Sequence, residues 1–184
     1  MPFRFNATEL PGLLLIEALV FSDERGFFME SYKHSEFAAQ GIGEHFVQAN
    51  QSRSFRATLR GLHFQKPPQA QAKLITALDG EIYDVVVDIR HGSPTFGKWQ
   101  GLHLSAENRR MLYVPAGFAH GFCVISEMAD ISYMTSAEYA PALEGGIAWD
   151  DPDLKIVWPV DDPQLSQRDR GWPCLREIAN EFRQ

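Results

Sequence analysis

The chain has 184 residues, 45% of them hydrophobic and 22% charged, the profile of a soluble globular protein long enough for one full core. Its formal net charge of -7 argues against a nucleic-acid surface, which would be basic. A local basic pocket for an anionic small molecule stays open, with Arg25, Arg60, Lys73 and Arg168 as candidates.

In chain order, the opening "MPFRFNATELPG" lacks the basic segment and long apolar run of a signal peptide. No apolar stretch approaches a membrane span, so a cytoplasmic protein without membrane contact is expected. The glycosylation-type triplets at Asn6 and Asn50 then read as chance matches. "LLLIEALVF" (13–21) and "GFFMESY" (26–32) read as strands around the turn-like "SDER". Ser35 is placed to cap a short helical turn, "SEFAAQ", ended by Gly41. "EIYDVVVDIR" alternates: Tyr83, Val85, Val87 and Ile89 fall on one face, Asp84, Asp88 and Arg90 on the other, with Val86 among them. "SPTFG" is a turn and "KWQGLHLS" a further strand. "RRMLYVP" and "HGFCVIS" flank a tight "PAGFA", and "DISYMTS" is one more strand. Leu175, Ile178, Ala179 and Phe182 follow helical spacing, which predicts an amphipathic helix over 173–182. Cys123 and Cys174 show no CxxC spacing and read as reduced thiols.

Many short strands with Gly and Pro punctuation and little helix predict a sandwich or barrel. No repeat, linker or low-complexity segment interrupts it, so 1–184 is expected to be one domain. No Gly-rich dinucleotide loop is present, which speaks against a hydride step.

"VPAGFAHGF" (114–122), a PxGxxH turn between two strands, resembles the second motif of the cupin jelly rolls, whose histidine is a ligand in the metal-binding members. The first cupin motif would supply HxH and then a glutamate. The only candidate, "GLHFQKPPQAQAKL", has Gln65 at the second His position and no carboxylate before Lys73. A divalent transition metal favours neutral imidazoles and carboxylates, so His63 and His120 beside a lysine make a poor metal site, and none is expected. Two histidines, a lysine and an arginine at a barrel mouth are also an unusual core.

A wider set of strings resembles the dTDP-4-dehydrorhamnose 3,5-epimerase family, metal-free cupins of nucleotide-sugar biosynthesis. They are "VFSDERGFFMESY", "FVQANQSRS", "LRGLHFQ", "QAKL", "GEIYDVVVDIR", "SPTFGKW", "LSAENRRMLYVPAGFAHGF", "EGGIAWDDPDLKIVWP" and "LSQRD", in the family's order from about Leu10 to Asp169. The resemblance implies a mainly β, cupin-type jelly roll. It implies a cofactor-independent isomerase acting on dTDP-4-dehydro-6-deoxyglucose in dTDP-L-rhamnose biosynthesis. It implies a homodimer with shared active sites.

The resemblance also implies roles. His63 matches the family's base, and an unperturbed imidazole can accept a proton near neutral pH. Asp169 matches the carboxylate that orients it; taken alone, Asp169 reads as a surface or helix-capping carboxylate. Lys73 matches the cation near the developing oxyanion, and Tyr133 the acid on the far face of the sugar; alone, they read as a rim lysine and a core tyrosine. His120 matches a substrate contact deep in the barrel, beside a structural role closing the turn. Arg60 matches a diphosphate ligand, where a planar guanidinium suits phosphate oxygens. Arg25, Glu30 and Phe28 or Phe27 match nucleotide contacts delivered from the neighbouring subunit. Gln48 and Asn50 match polar contacts to substrate or base, with Ala49 standing where the family commonly has aspartate. Tyr139, Glu144 and Arg168 match residues near the nucleotide and the sugar mouth. The alternatives are an enzyme that inverts only C3 or only C5, a non-catalytic sugar-nucleotide-binding cupin, and a metal-dependent cupin oxygenase.

Overall fold

The computed structural model describes residues 2–178 and 182. The chain begins with β1 (Phe3–Ala7), β2 (Leu14–Ala18), β3 (Val20–Asp23) and β4 (Gly26–Met29), then the helix α1 (His34–Ala38). β5 (Gln48–Phe55), β6 (Leu59–Gln65), β7 (Lys73–Asp79), β8 (Glu81–Asp88) and β9 (Trp99–Ser105) follow. β10 (Arg110–Val114), β11 (Phe118–Val124), β12 (Met128–Thr135) and β13 (Glu144–Gly146) complete the strands.

Two antiparallel sheets face each other. One has the order β1-β2-β10-β7-β12-β5 and the other β13-β6-β11-β8-β9, with β3 and β4 as a separate hairpin. This is the expected cupin-type jelly roll. Ile75, Ile82, Val86, Leu112, Phe122 and Ile131, drawn from both sheets, form one buried cluster. Phe37 and Ile42 cover the outer side of the six-stranded sheet with Ile16, Leu74 and Met111. Ile147, Leu154 and Leu175 pack with Val85, Val87 and Ala119 of the five-stranded sheet.

That double cover buries both faces of β8. The alternation read from the sequence holds, and its polar side is covered as well: Asp84 and Asp88 are both fully buried. Asp88 is neutralised locally by Arg90, Ser93 and Thr95. Asp84 belongs to the site described below.

Two expectations are corrected. Helix α1 starts at His34 with Lys33 as its N-cap, so Ser35 lies inside it rather than capping it. What holds so short a helix is Phe37, fully buried and edge-on to the rings of Phe3, Phe5 and Tyr32. Gly41 does end the segment, at φ +86. The helix expected over 173–182 is a single 3-10 turn, Leu175–Glu177, after which Ile178 is extended. Ala179 lies outside the described residues. Leu175 is buried against the five-stranded sheet, so packing rather than helical periodicity fixes this segment.

A bulge positions the centre of β6. His63 pairs with His120 of β11 but Arg60 pairs with Phe122, so β6 carries one extra residue. Gly61 and Gly121 meet there: a Cβ on Gly61, at φ +139, would lie 2.5 Å from the Gly121 Cα. The bulge breaks the side-chain alternation between Arg60 and His63.

Candidate active site

One end of the space between the sheets opens into a polar cavity of about 400 Å³. Strand register explains its walls. On the six-stranded sheet Tyr133 pairs with Asn50, and Thr135 pairs with both Gln48 and Lys73. Period-two alternation therefore brings Gln48, Asn50, Lys73, Tyr133 and Thr135 to one face, and all five line the cavity. On the five-stranded sheet His63 and Gln65 stand two apart on β6, and Glu144 of β13 pairs with Gln65. His63, Gln65 and Glu144 line the same cavity, together with Tyr139 and Arg168.

His63 Nε2 bonds Asp169 Oδ1 at 2.5 Å. Asp169 is buried and also accepts from Ser166 Oγ at 2.8 Å and Trp172 Nε1 at 3.4 Å. Burial acts to raise its carboxyl, but the bonds from His63, Ser166 and Trp172 outweigh that and hold it below the ordinary carboxylate value. An ionised Asp169 accepts from Nε2 and so favours the tautomer that carries its proton there. Trp172 closes over this pair, edge-on to His63 with centroids 6.0 Å apart. The close approach needs Gly146, where a Cβ would fall 2.3 Å from the indole.

Lys73 Nζ reaches toward the other wall, 3.5 Å from the His63 carbonyl oxygen. Burial pushes its ammonium down to about 8, partly offset by the negative charges of Asp84 and Glu144. Tyr133 is raised above its ordinary value, first by burial and then by Glu144 and Tyr139, against the lowering effect of Arg60 and Arg168. The cavity thus has the His63–Asp169 pair on one wall, with a phenol favoured in its neutral form and a lysine on the other.

The remaining expected residues divide by location. Tyr139 donates to Glu144 Oε2 at 2.9 Å, and Arg168 donates to the same oxygen at 2.7 Å, so the three form one group at the mouth. Gln48 is engaged on both sides, donating to Asn50 Oδ1 and accepting from the Tyr139 N–H. Arg60 does not line the cavity; its Nε donates to Ser54 Oγ, although its charge is felt at Tyr133. His120 lies one strand behind His63 and bonds Asp84 Oδ2 at 2.8 Å, outside the cavity lining. Arg25, Phe28 and Glu30 are not brought to this cavity. Arg25 is bound to Asp23 at the tip of the β3–β4 hairpin, and Phe28 is 66% exposed.

Sequence reasoning assigned no role to Asp84, Gln65, Gln71 or Thr135. Asp84 was read only as a residue on one face of an alternating strand, and its place opposite Phe122 of β11 is what reveals the contact with His120. The two glutamines stood inside "LRGLHFQ" and "QAKL", which was the available signal.

If the cation at Lys73 is needed for turnover, kcat will fall as pH rises through about 8, because the neutral amine no longer offsets negative charge. Asp84→Asn removes a counter-charge from beside Lys73 and should move that alkaline limb to lower pH. A pH–rate profile of both proteins at saturating substrate checks this; coincident limbs would contradict it.

The protein is a cupin-type isomerase, a jelly roll whose cavity carries a His–Asp pair on one wall and a phenol and an ammonium on the other. The chain belongs to the dTDP-4-dehydrorhamnose 3,5-epimerase family, whose model matches residues 7–177. It is 55% identical over 163 residues to the dTDP-4-dehydrorhamnose 3,5-epimerase of Pseudomonas aeruginosa, covering 88% of this chain and 90% of that one. It is 53% identical to the Shigella flexneri enzyme of the same name, with the same coverage. Among solved structures, the Legionella pneumophila dTDP-6-deoxy-D-glucose-3,5-epimerase in complex with dTDP-4-keto-L-rhamnose superposes with a TM-score of 0.95. That match has 45% identity and covers 99% of this chain and 98% of the other.

Proposed function

We propose that this chain converts dTDP-4-dehydro-6-deoxy-D-glucose to dTDP-4-dehydro-L-rhamnose by inverting C3 and C5, a step of dTDP-L-rhamnose biosynthesis in the cytoplasm. The observation that carries the reading is that His63 on one sheet, backed by Asp169 of a 3-10 turn, lines the same cavity as Tyr133 and Lys73 on the facing sheet. His63 Nδ1 removes the proton α to the C4 ketone. Lys73 stabilises the enolate oxygen, a kind of contribution that donor removal elsewhere puts at about 10²–10³-fold. Tyr133 returns a proton to the opposite face, which one residue acting alone would not do. The ketone already acidifies the neighbouring C–H bonds, so the reaction draws on no organic cofactor.

The nucleotide end belongs at the mouth, near Tyr139, Glu144 and Arg168. The reading also includes a homodimer. The β3–β4 hairpin carries Arg25 away from its own cavity and exposes Phe21, Phe27 and Phe28, a surface suited to insertion into a second copy's site. Two tests separate the parts. With dTDP-4-dehydro-6-deoxyglucose and a partner reductase, accumulation of dTDP-L-rhamnose is the expected result; a different deoxysugar would indicate inversion at one centre only. Mixed and refolded Arg25→Ala and His63→Ala proteins should recover about a quarter of wild-type activity, since half the dimers then carry one intact site. No recovery would mean that each chain completes its own site.

A further inference from the structure

Residues 136–140 run from the end of β12 toward β13 and carry Tyr139 at the mouth of the cavity. The segment has no regular secondary structure, yet its backbone is held almost residue by residue. Ser136 exchanges bonds with Ala72, and the Ala137 carbonyl accepts from Gln71 Nε2 at 2.8 Å and Thr135 Oγ1 at 2.9 Å. At its centre is Gln65, only 4% exposed. Its Nε2 donates to the Glu138 carbonyl at 3.0 Å and to the Gln69 carbonyl at 2.6 Å, while its Oε1 accepts from the Ala140 N–H at 2.9 Å. One N–H and the carbonyl of a single carboxamide are therefore spent on main chain either side of Tyr139, and the second N–H ties that segment to the Gln69 carbonyl of the loop after β6. No other side chain of that size offers two donors and an acceptor in this arrangement.

We propose that Gln65 is a positioning residue that sets Tyr139, and through it Glu144, for the nucleotide-bearing end of the substrate. It occupies the place where the metal-binding cupins carry a second histidine, and it holds a wall of the cavity instead. It touches the main chain of the mouth and not the His63–Asp169 pair, so its effect falls on binding rather than on proton transfer. This inference rests on the nucleotide-sugar reading above.

The test uses the full chain, with dTDP as the probe in calorimetry and the dTDP-sugar in steady-state kinetics. Gln65→Glu keeps the size and loses both donors. It should weaken dTDP binding and raise KM by about tenfold or more while kcat stays within about threefold of wild type. Gln71→Leu, which frees the same segment at Ala137, should act in the same direction and more weakly, and it serves if Gln65→Glu does not fold. Tyr139→Ala should lose binding similarly, and adding Gln65→Glu to it should cost little more, because the two act through one contact. A merely structural role would instead give multiplying losses in the double variant, or a kcat loss at constant KM, and either would overturn the inference. Unchanged dTDP affinity in both glutamine variants would overturn it alone. A wild-type protein that does not bind dTDP would overturn the nucleotide-sugar reading and this inference with it.

Discussion

His63→Ala will lower kcat by about 10²–10⁴-fold or more, the range in which a positioned general base acts, while affinity for the dTDP-sugar stays near that of wild type. The separation follows from where the side chain sits. Among the described residues, the ring's hydrogen bond is to Asp169, which keeps Ser166 and Trp172 as partners when the imidazole is gone. The groups at the mouth, Tyr139, Glu144 and Arg168, bond among themselves and not to His63. Removing the ring therefore leaves the fold and the binding surface in place and takes away the atom proposed to accept the proton. Steady-state kinetics with a calorimetric titration reads both quantities. Retention of most of kcat would remove His63 from the role of base.

Tyr133→Phe will show a different signature: product formation falls by about 10²-fold, whereas exchange of substrate C–H protons with solvent falls much less. Burial keeps the Tyr133 hydroxyl above its ordinary pKa, so at neutral pH it is a neutral phenol with a proton to give. It stands on the sheet facing His63. Without the hydroxyl, His63 can still remove a proton and return one from solvent to the same face, which gives exchange without inversion. Equal losses of exchange and inversion would argue that Tyr133 holds the substrate rather than protonating it.

Much of the barrel was legible in the chain because β-strands leave a period-two record. "RRMLYVP" contains β10, and "HGFCVIS" and "DISYMTS" cover most of β11 and β12, each of which begins two residues earlier; Tyr133 on the last of them faces the cavity. His63 and Asp169 were named through a family resemblance, since nothing in local sequence joins residues so far apart; the bulge at Gly61 and the turn before Trp172 do that in space. Other features were illegible for physical reasons. Alternation along β8 separates its two faces but cannot say that both are covered, so no role for Asp84 followed from it. Helical spacing in 173–182 was outweighed by docking of Leu175 on the sheet. Gln65 looked like a vacancy in a metal motif. Its three bonds go to main-chain atoms, which carry no sequence signature.

The most direct measurement is solvent deuterium incorporation. The protein is incubated with dTDP-4-dehydro-6-deoxyglucose in heavy water, and the C3 and C5 protons of the sugar are followed by NMR. The account predicts loss of both signals with the wild-type chain and of neither with His63→Ala. Retention of both protons by the wild-type chain, with the dTDP-sugar bound, would contradict the claim that this cavity removes a proton α to the ketone.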